Sequence, residues 1–228
     1  MSDQPRPEAI DQGAPDTARV RRRVAIELAV LGALTPAFLL LFPDRATFVD
    51  MGLALFALAA IALTVRDTRD RVWGPLPPEA AAAGLRRSAL WMLALTGPLV
   101  AVFCAIGVAR GNRLFEPRLA LALAVYLPWA LAQQTLFQFY LLGRLRALLP
   151  GAPPIALAAL TGAAYGLVHL PDAATTLVTI PAGIAWSLSY WHHRRLIPIA
   201  LSHAVLGSTF YYWAMGRDVV EKALSVMS

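Results

Sequence analysis

Apolar residues run in long, nearly unbroken stretches along this chain, at about 24–42, 47–65, 88–109, 119–141, 154–170, 174–191 and 196–214. Most of them approach the roughly 20 residues that a helix needs to cross a hydrocarbon layer, so the pattern predicts an all-α, polytopic transmembrane helix bundle of about seven spans. The fifth and sixth stretches are short and are separated only by Leu170-Pro171-Asp172. Polar text frames the bundle. Residues 1–18 hold Pro5, Pro7 and Pro15 with few large apolar side chains, and a segment of that kind is expected to stay disordered. The transmembrane domain is expected over 19–216 and a short tail over 217–228. Between Arg66 and Arg87, Pro75, Pro77 and Pro78 precede Ala80 to Ala83, which predicts a linker entering a short interfacial helix. No small-residue cleavage site follows the first apolar run, so that run is read as a span and not as a signal peptide.

Composition strengthens this picture. Hydrophobic residues make up 58% of the 228, charged residues only 15%, and mean hydropathy is +0.58, outside the ordinary range of soluble domains. The net charge of +6 comes almost wholly from arginine. With the N-terminus inside, 14 of the 20 basic residues fall on the cytoplasmic side and 6 on the other, as the positive-inside rule requires. The charge is thus a topology signal, and nucleic acid is not an expected partner. The single cysteine, Cys104, excludes an intramolecular disulfide and a thiolate metal cluster. Heavy use of arginine and alanine suggests a bacterial source, and with it the bacterial plasma (inner) membrane.

Within this apolar text the polar side chains stand out. Gln133, Gln134 and Gln138 lie in the fourth stretch, His169 in the fifth and His203 in the seventh. On an α-helix Gln134 and Gln138 lie about 40° apart and Gln133 about 100° from Gln134, which puts three amides on one broad face. Folding the fourth and fifth helices back on each other at Pro150-Gly151-Ala152-Pro153-Pro154 sets position 133 opposite position 169. Tyr165 stands one turn before His169 on the same stripe. Counted from Arg195, His203 lies about 12 Å deep; counted from Arg144, Gln133 lies about 16 Å deep. Each residue taken singly is more readily interhelical glue, with hydrogen bonds worth roughly 0.6 to 2 kcal/mol. Their matched depths favour a shared cavity.

At these residues the chain resembles the CPBP family, the CAAX proteases and bacteriocin-processing intramembrane endopeptidases. The family pattern is Glu-Glu-x-x-x-Arg, then Phe-x-x-x-His, then His-x-x-x-Asn or Asp. Here Gln133-Gln134-x-x-x-Gln138, Tyr165-x-x-x-His169 and His203-x-x-x-Gly207 stand in those places, and Phe137-Gln138-Phe139-Tyr140-Leu141-Leu142-Gly143-Arg144-Leu145 is similar to the family's usual continuation. The resemblance implies a CAAX-protease-like bundle with its core at about 119–212. It also implies family-equivalent catalytic positions at Gln133, Gln134, Gln138, His169 and His203, with Tyr165 and Gly207 in the pocket. In the family the first glutamate is thought to activate water, while the histidines and the asparagine position it or stabilise an oxyanion.

The chemistry departs from the family at those positions. A glutamine cannot take up and pass on a proton near neutral pH. Loss of both carboxylates would leave an arginine unpaired at membrane depth, at a cost of a few kcal/mol, and Gln138 avoids that. The three amides therefore read as one coordinated neutralisation. Asp172 is expected at the rim, since Pro171 ends the helix before it. Glu27 is expected to pair with Arg23. With two histidines in evidence, a hydrolytic zinc site lacks its third protein ligand, so no metal or cofactor is expected.

The leading expectation is a neutralised protease scaffold that binds a peptide, membrane segment or lipid, its partners being the bilayer and a membrane peptide or lipidated protein. The alternative is an active intramembrane endopeptidase running on its histidines. A transporter stands third, disfavoured by the missing repeats.

Overall fold

The computed structural model describes residues 17–41, 73, 77–114 and 117–217. Among these the chain is helical, with no strand. The helices are α1 (Thr17–Leu41), α2 (Pro78–Ala109), α3 (Pro117–Gln134), α4 (Leu142–Leu148), α5 (Pro154–Leu167), α6 (Ala173–His193) and α7 (Leu196–Thr209). Two π-helical segments, Thr135–Leu141 and Phe210–Ala214, join α3 to α4 and extend α7. By length and composition, two rods are able to cross a bilayer: α2, and the continuous Pro117–Leu148. Their exteriors are apolar, with Leu90, Leu93, Val102, Val108, Leu121 and Val125 exposed. An outer surface of this kind suits a lipid solvent.

Local sequence explains most of the boundaries. Pro78 and Pro154 open α2 and α5 as first-turn prolines, where the missing N–H would have no helical partner in any case. Asp172 caps α6, its Oδ1 accepting the Thr175 N–H at 3.1 Å. The segment Ala80 to Ala83 forms the leading turns of the long α2 and not a separate interfacial helix, because alanines continue the helix from the prolines with no breaker between.

The seven-span expectation is met only in part. The second expected stretch (47–65), most of the N-terminal tail (1–18) and most of the C-terminal tail (217–228) lie outside the described residues. The fifth forms a helix of 14 residues, about 21 Å long at 1.5 Å per residue and shorter than a bilayer core. It ends at Leu167, so His169 follows the helix in a turn in which its N–H bonds the Gly166 carbonyl at 2.9 Å. Glu27 also finds a different partner, Arg144 at 3.3 Å. Arg144 is 8% exposed and its guanidinium lies over the Tyr140 ring. Removed from water, it takes the carboxylate of α1, whereas Arg23 is exposed and hydrated.

The seam that positions the site runs between α5 and α6. Gly162 and Gly183 face each other so closely that a Cβ on Gly183 would lie 2.9 Å from the Gly162 Cα and 3.2 Å from the Tyr165 Cβ. A Cβ on Gly166 would meet Ile180 Cγ1 at 2.2 Å. Small residues permit close backbone approach, the usual basis of helix association in a membrane. Gly183→Val is therefore expected to lower stability by about 1–3 kcal/mol, the usual range for overpacking. The check is the thermal unfolding midpoint in detergent, with Gly32→Val, in open space on α1, as the neutral control.

Candidate functional site

His203 is the centre of the polar cluster. It is 3% exposed and is approached from three other helices or their extensions. From α3, Gln134 brings its Nε2 to 3.2 Å from His203 Nδ1. From α5, the Tyr165 hydroxyl lies 2.7 Å from Nε2. A second hydroxyl from α3, that of Tyr126, lies 3.2 Å from the same nitrogen. Trp186 of α6 covers the ring at 4.9 Å between centroids and donates its indole N–H to Ser202 Oγ at 3.1 Å.

With its nitrogen toward Nδ1, the Gln134 amide donates there, and the ring proton then sits on Nε2 beside the Tyr165 hydroxyl, which also stands 3.2 Å from Nδ1. A carboxylate at position 134 would accept from Nδ1–H and leave Nε2 bare, the opposite assignment. The residue at 134 thus bears on which nitrogen of His203 is available.

The structure gathers some of the expected residues and separates others. Gln134, Tyr165 and His203 form one hydrogen-bonded group. His169 joins it by ring contact with Tyr165, at 5.5 Å, while its Nδ1 donates to the Tyr165 carbonyl at 2.9 Å. Gln138 leaves the group: its Oε1 accepts from Ser187 Oγ of α6 at 2.8 Å. Gln134 and Gln138 therefore find partners on different helices, α7 for the first and α6 for the second, although the π-helical turn from Thr135 to Leu141 keeps them one turn apart along the chain. Gln133 Oε1, Gln134 Oε1 and Gln138 Nε2 are buried without hydrogen-bond partners among the described residues.

A cavity of about 40 Å³ opens beside the cluster, lined by His169, His203, Tyr126, Thr175, Tyr211 and Gly207 together with apolar side chains. It has room for on the order of three waters. The three glutamines do not line it. The imidazoles therefore share a cavity, and the amides stand behind its wall.

Gly207 has a clear steric role. A Cβ there would lie 2.6 Å from Tyr126 Cε1, so the tyrosine ring occupies the space that a side chain at 207 would fill. The resemblance places an Asn or Asp at that position. Here a phenol hydroxyl reaches the histidine in its stead. The sequence reading missed Tyr126, although its position seven and eight residues ahead of Gln133 and Gln134 puts it two turns away on the same face. Trp186 and Ser187 gave no comparable signal within an apolar helix. Among the described residues no three His, Cys, Asp or Glu side chains converge, a donor set that does not fit a hydrolytic zinc with three protein ligands.

Asp172 sits at the rim, three residues beyond His169. Burial pushes its carboxyl up, but the Thr175 N–H and Arg217, 2.7 Å away, more than offset this and hold it below the ordinary carboxylate value. Thr175 Oγ1 and the Tyr211 hydroxyl, 3.3 Å apart, close the same rim.

Two outcomes follow from this geometry. Gly207→Asn alone should destabilise the fold, and adding Tyr126→Ala should recover part of the loss by making room. A double-mutant cycle of unfolding midpoints would show a coupling of about 0.5–3 kcal/mol, against none for independent sites. A carboxyl with a depressed pKa contributes stability that is present above its unfolded value and is lost as pH falls through the folded one. The wild type should therefore melt above Asp172→Asn at pH 7 by a small margin, since Arg217 is exposed. That margin should begin to shrink at about pH 4 and be gone once the pH is below the lowered folded value. A margin independent of pH would show that Asp172 acts only as a neutral cap.

Comparison with known proteins adds one finding. The model of the Rce1-like family, described as type II CAAX prenyl endopeptidase Rce1-like, matches residues 115–209. No curated protein and no solved structure matches the chain. The matched segment holds α3, α5, α6, α7 and every member of the His203 cluster. It supports the assignment of the chain to the CPBP family of helical membrane proteins, as a divergent member with Gln133, Gln134 and Gln138 in place of the Glu-Glu-x-x-x-Arg side chains.

Proposed function

We propose that this protein is a CPBP-scaffold membrane protein whose hydrolytic site has been neutralised and whose cavity region binds a peptide tail, a membrane segment or a lipid. The observation that carries the reading is the Gln134 amide on His203 Nδ1. Where the family's water-activating chemistry needs a proton acceptor, this site offers a donor. Neither oxygen of Gln133 or Gln134 is basic enough to deprotonate water at neutral pH. The group that meets Gln138 Oε1 is a neutral hydroxyl, consistent with a site that has no charge to balance. Tyr126 against Gly207 further narrows the space beside the histidine to a volume that holds water and not a peptide. Binding of a larger ligand would therefore require the tyrosine to move. A multi-pass placement in a bacterial inner membrane, with the N-terminus cytoplasmic, belongs to the same proposal.

The alternative, an endopeptidase running on its histidines, draws support from the two imidazoles facing one cavity. Reconstitution in liposomes with a panel of prenylated and unmodified peptides separates the two readings. The wild type is expected to give no cleavage above background. Gln133→Glu combined with Gln134→Glu is expected to gain measurable turnover, because a carboxylate at 134 accepts from His203 Nδ1–H and frees Nε2 on an imidazole that lines the cavity. Wild-type cleavage that disappears in His169→Ala would overturn the proposal in favour of the active enzyme.

A further inference from the structure

The cavity beside His203 is walled by hydrogen-bonding groups that the cluster itself leaves unused. His169 Nδ1 meets the Tyr165 carbonyl at 2.9 Å. A carbonyl only accepts, so Nδ1 holds the proton of the neutral ring, and Nε2, the nitrogen left to meet a ligand, is an acceptor. Tyr126 supplies the opposite valence. Its oxygen lies 3.2 Å from His203 Nε2, and with the ring proton on that nitrogen the oxygen accepts and keeps its own O–H to donate. At the rim the Thr175 and Tyr211 hydroxyls lie 3.3 Å apart; one of their two protons serves that bond and the other is left over.

The wall carries no formal charge to match. Among the described residues the lining holds no Asp, Glu, Lys or Arg, and at the rim Asp172 and Arg217 are taken up with each other at 2.7 Å. An ionised head brought here would lose its hydration with no counter-ion to meet it, whereas a hydroxyl can donate to the one group and accept from the other. The volume of about 40 Å³ suits a head of about two or three heavy atoms, each taken as roughly a water in size. The remaining lining is apolar and includes Phe103 of α2 and Val178 of α6. Their chain neighbours Val102 and Leu177 are exposed on the outer surface, so apolar surface is present on both sides of these two helices.

We infer that the cavity takes an uncharged single-chain amphiphile, a hydroxyl-headed lipid, with its hydroxyl on His169 and Tyr126 and its alkyl chain over Phe103 and Val178. The inference rests on the cavity being a binding site, as proposed above, and selects the lipid among the ligands named there; it does not rest on the loss of hydrolysis.

The test uses the full chain in phosphatidylcholine nanodiscs with a dodecanol that carries a diazirine beside its hydroxyl, the photolabelled peptides being mapped by mass spectrometry. The wild type is expected to take label within residues 169–179 or 203–211, and excess 1-dodecanol should block it, while dodecane and dodecanesulfonate at equal membrane concentration should not. Tyr126→Phe keeps the ring against Gly207 and removes only the O–H. It should raise the dodecanol concentration for half-block about fivefold, the loss expected for one neutral hydrogen bond. His169→Phe, which removes the acceptor from a different part of the fold, should do the same, with helicity of both variants checked by circular dichroism. Equal block by dodecane would show apolar filling alone, and equal block by dodecanesulfonate would show no selection against charge; either overturns the inference, as does label absent from those peptides. A prenylated peptide that blocks the label where dodecanol does not would also overturn it, with the binding reading left standing. Cleavage of that peptide by the wild type would instead overturn the neutralised site, and block by dodecanol would still support the ligand class.

Discussion

A buried, neutral imidazole that must be satisfied on both nitrogens is the constraint around which the rest of this molecule is arranged. His203 is buried, and the groups that meet its ring nitrogens come from protein side chains. Gln134 and Tyr126 reach it from α3 and Tyr165 from α5, while Trp186 of α6 covers its face. Four helices meet at one ring. Each contact sets a condition on helix packing, and α5 meets its condition through the glycine seam with α6, which brings Tyr165 to the required depth.

The residue at 134 bears on the proton position of His203, since a carboxylate there would favour the opposite tautomer. Gln138 turns instead to Ser187 of α6, whose hydroxyl meets its Oε1. At the other side of the ring, Gly207 and Tyr126 form a complementary pair, one giving up the volume that the other takes. The charged groups that remain are moved outward or paired, as Glu27 with Arg144 and Asp172 with Arg217. A low-dielectric interior enforces this arrangement, since an uncompensated charge there costs more than any single hydrogen bond returns.

Much of the bundle was legible in the residues because burial in lipid requires long apolar runs and prolines mark where they start or stop. The limits of α6, and of α3 and α7 taken with their π-helical extensions, fall within a few residues of the stretches read from hydropathy. The rim position of Asp172 was legible as well, since Pro171 stops the helix before it, whereas its role as the cap of α6 came only with the structure. The partner of Glu27 was not. An i to i+4 rule offers Arg23, and only the approach of α1 to α4 reveals a buried guanidinium with the stronger claim. Tyr126 was overlooked for a related reason: an aromatic in an apolar helix is usually packing, and its hydroxyl matters only once Gly207 is known to lie beneath it.

By itself, the sequence determined a helical membrane scaffold and the identity of the polar residues inside it. These are properties of composition and spacing, and they survive any arrangement of the helices. Only the tertiary structure decided which of those polar groups meet. Gln134 meets His203 of α7, while Gln138, one turn on, meets Ser187 of α6. These partners lie 69 and 49 residues away along the chain, so the choice between them is made by how the helices pack and not by spacing along any one of them.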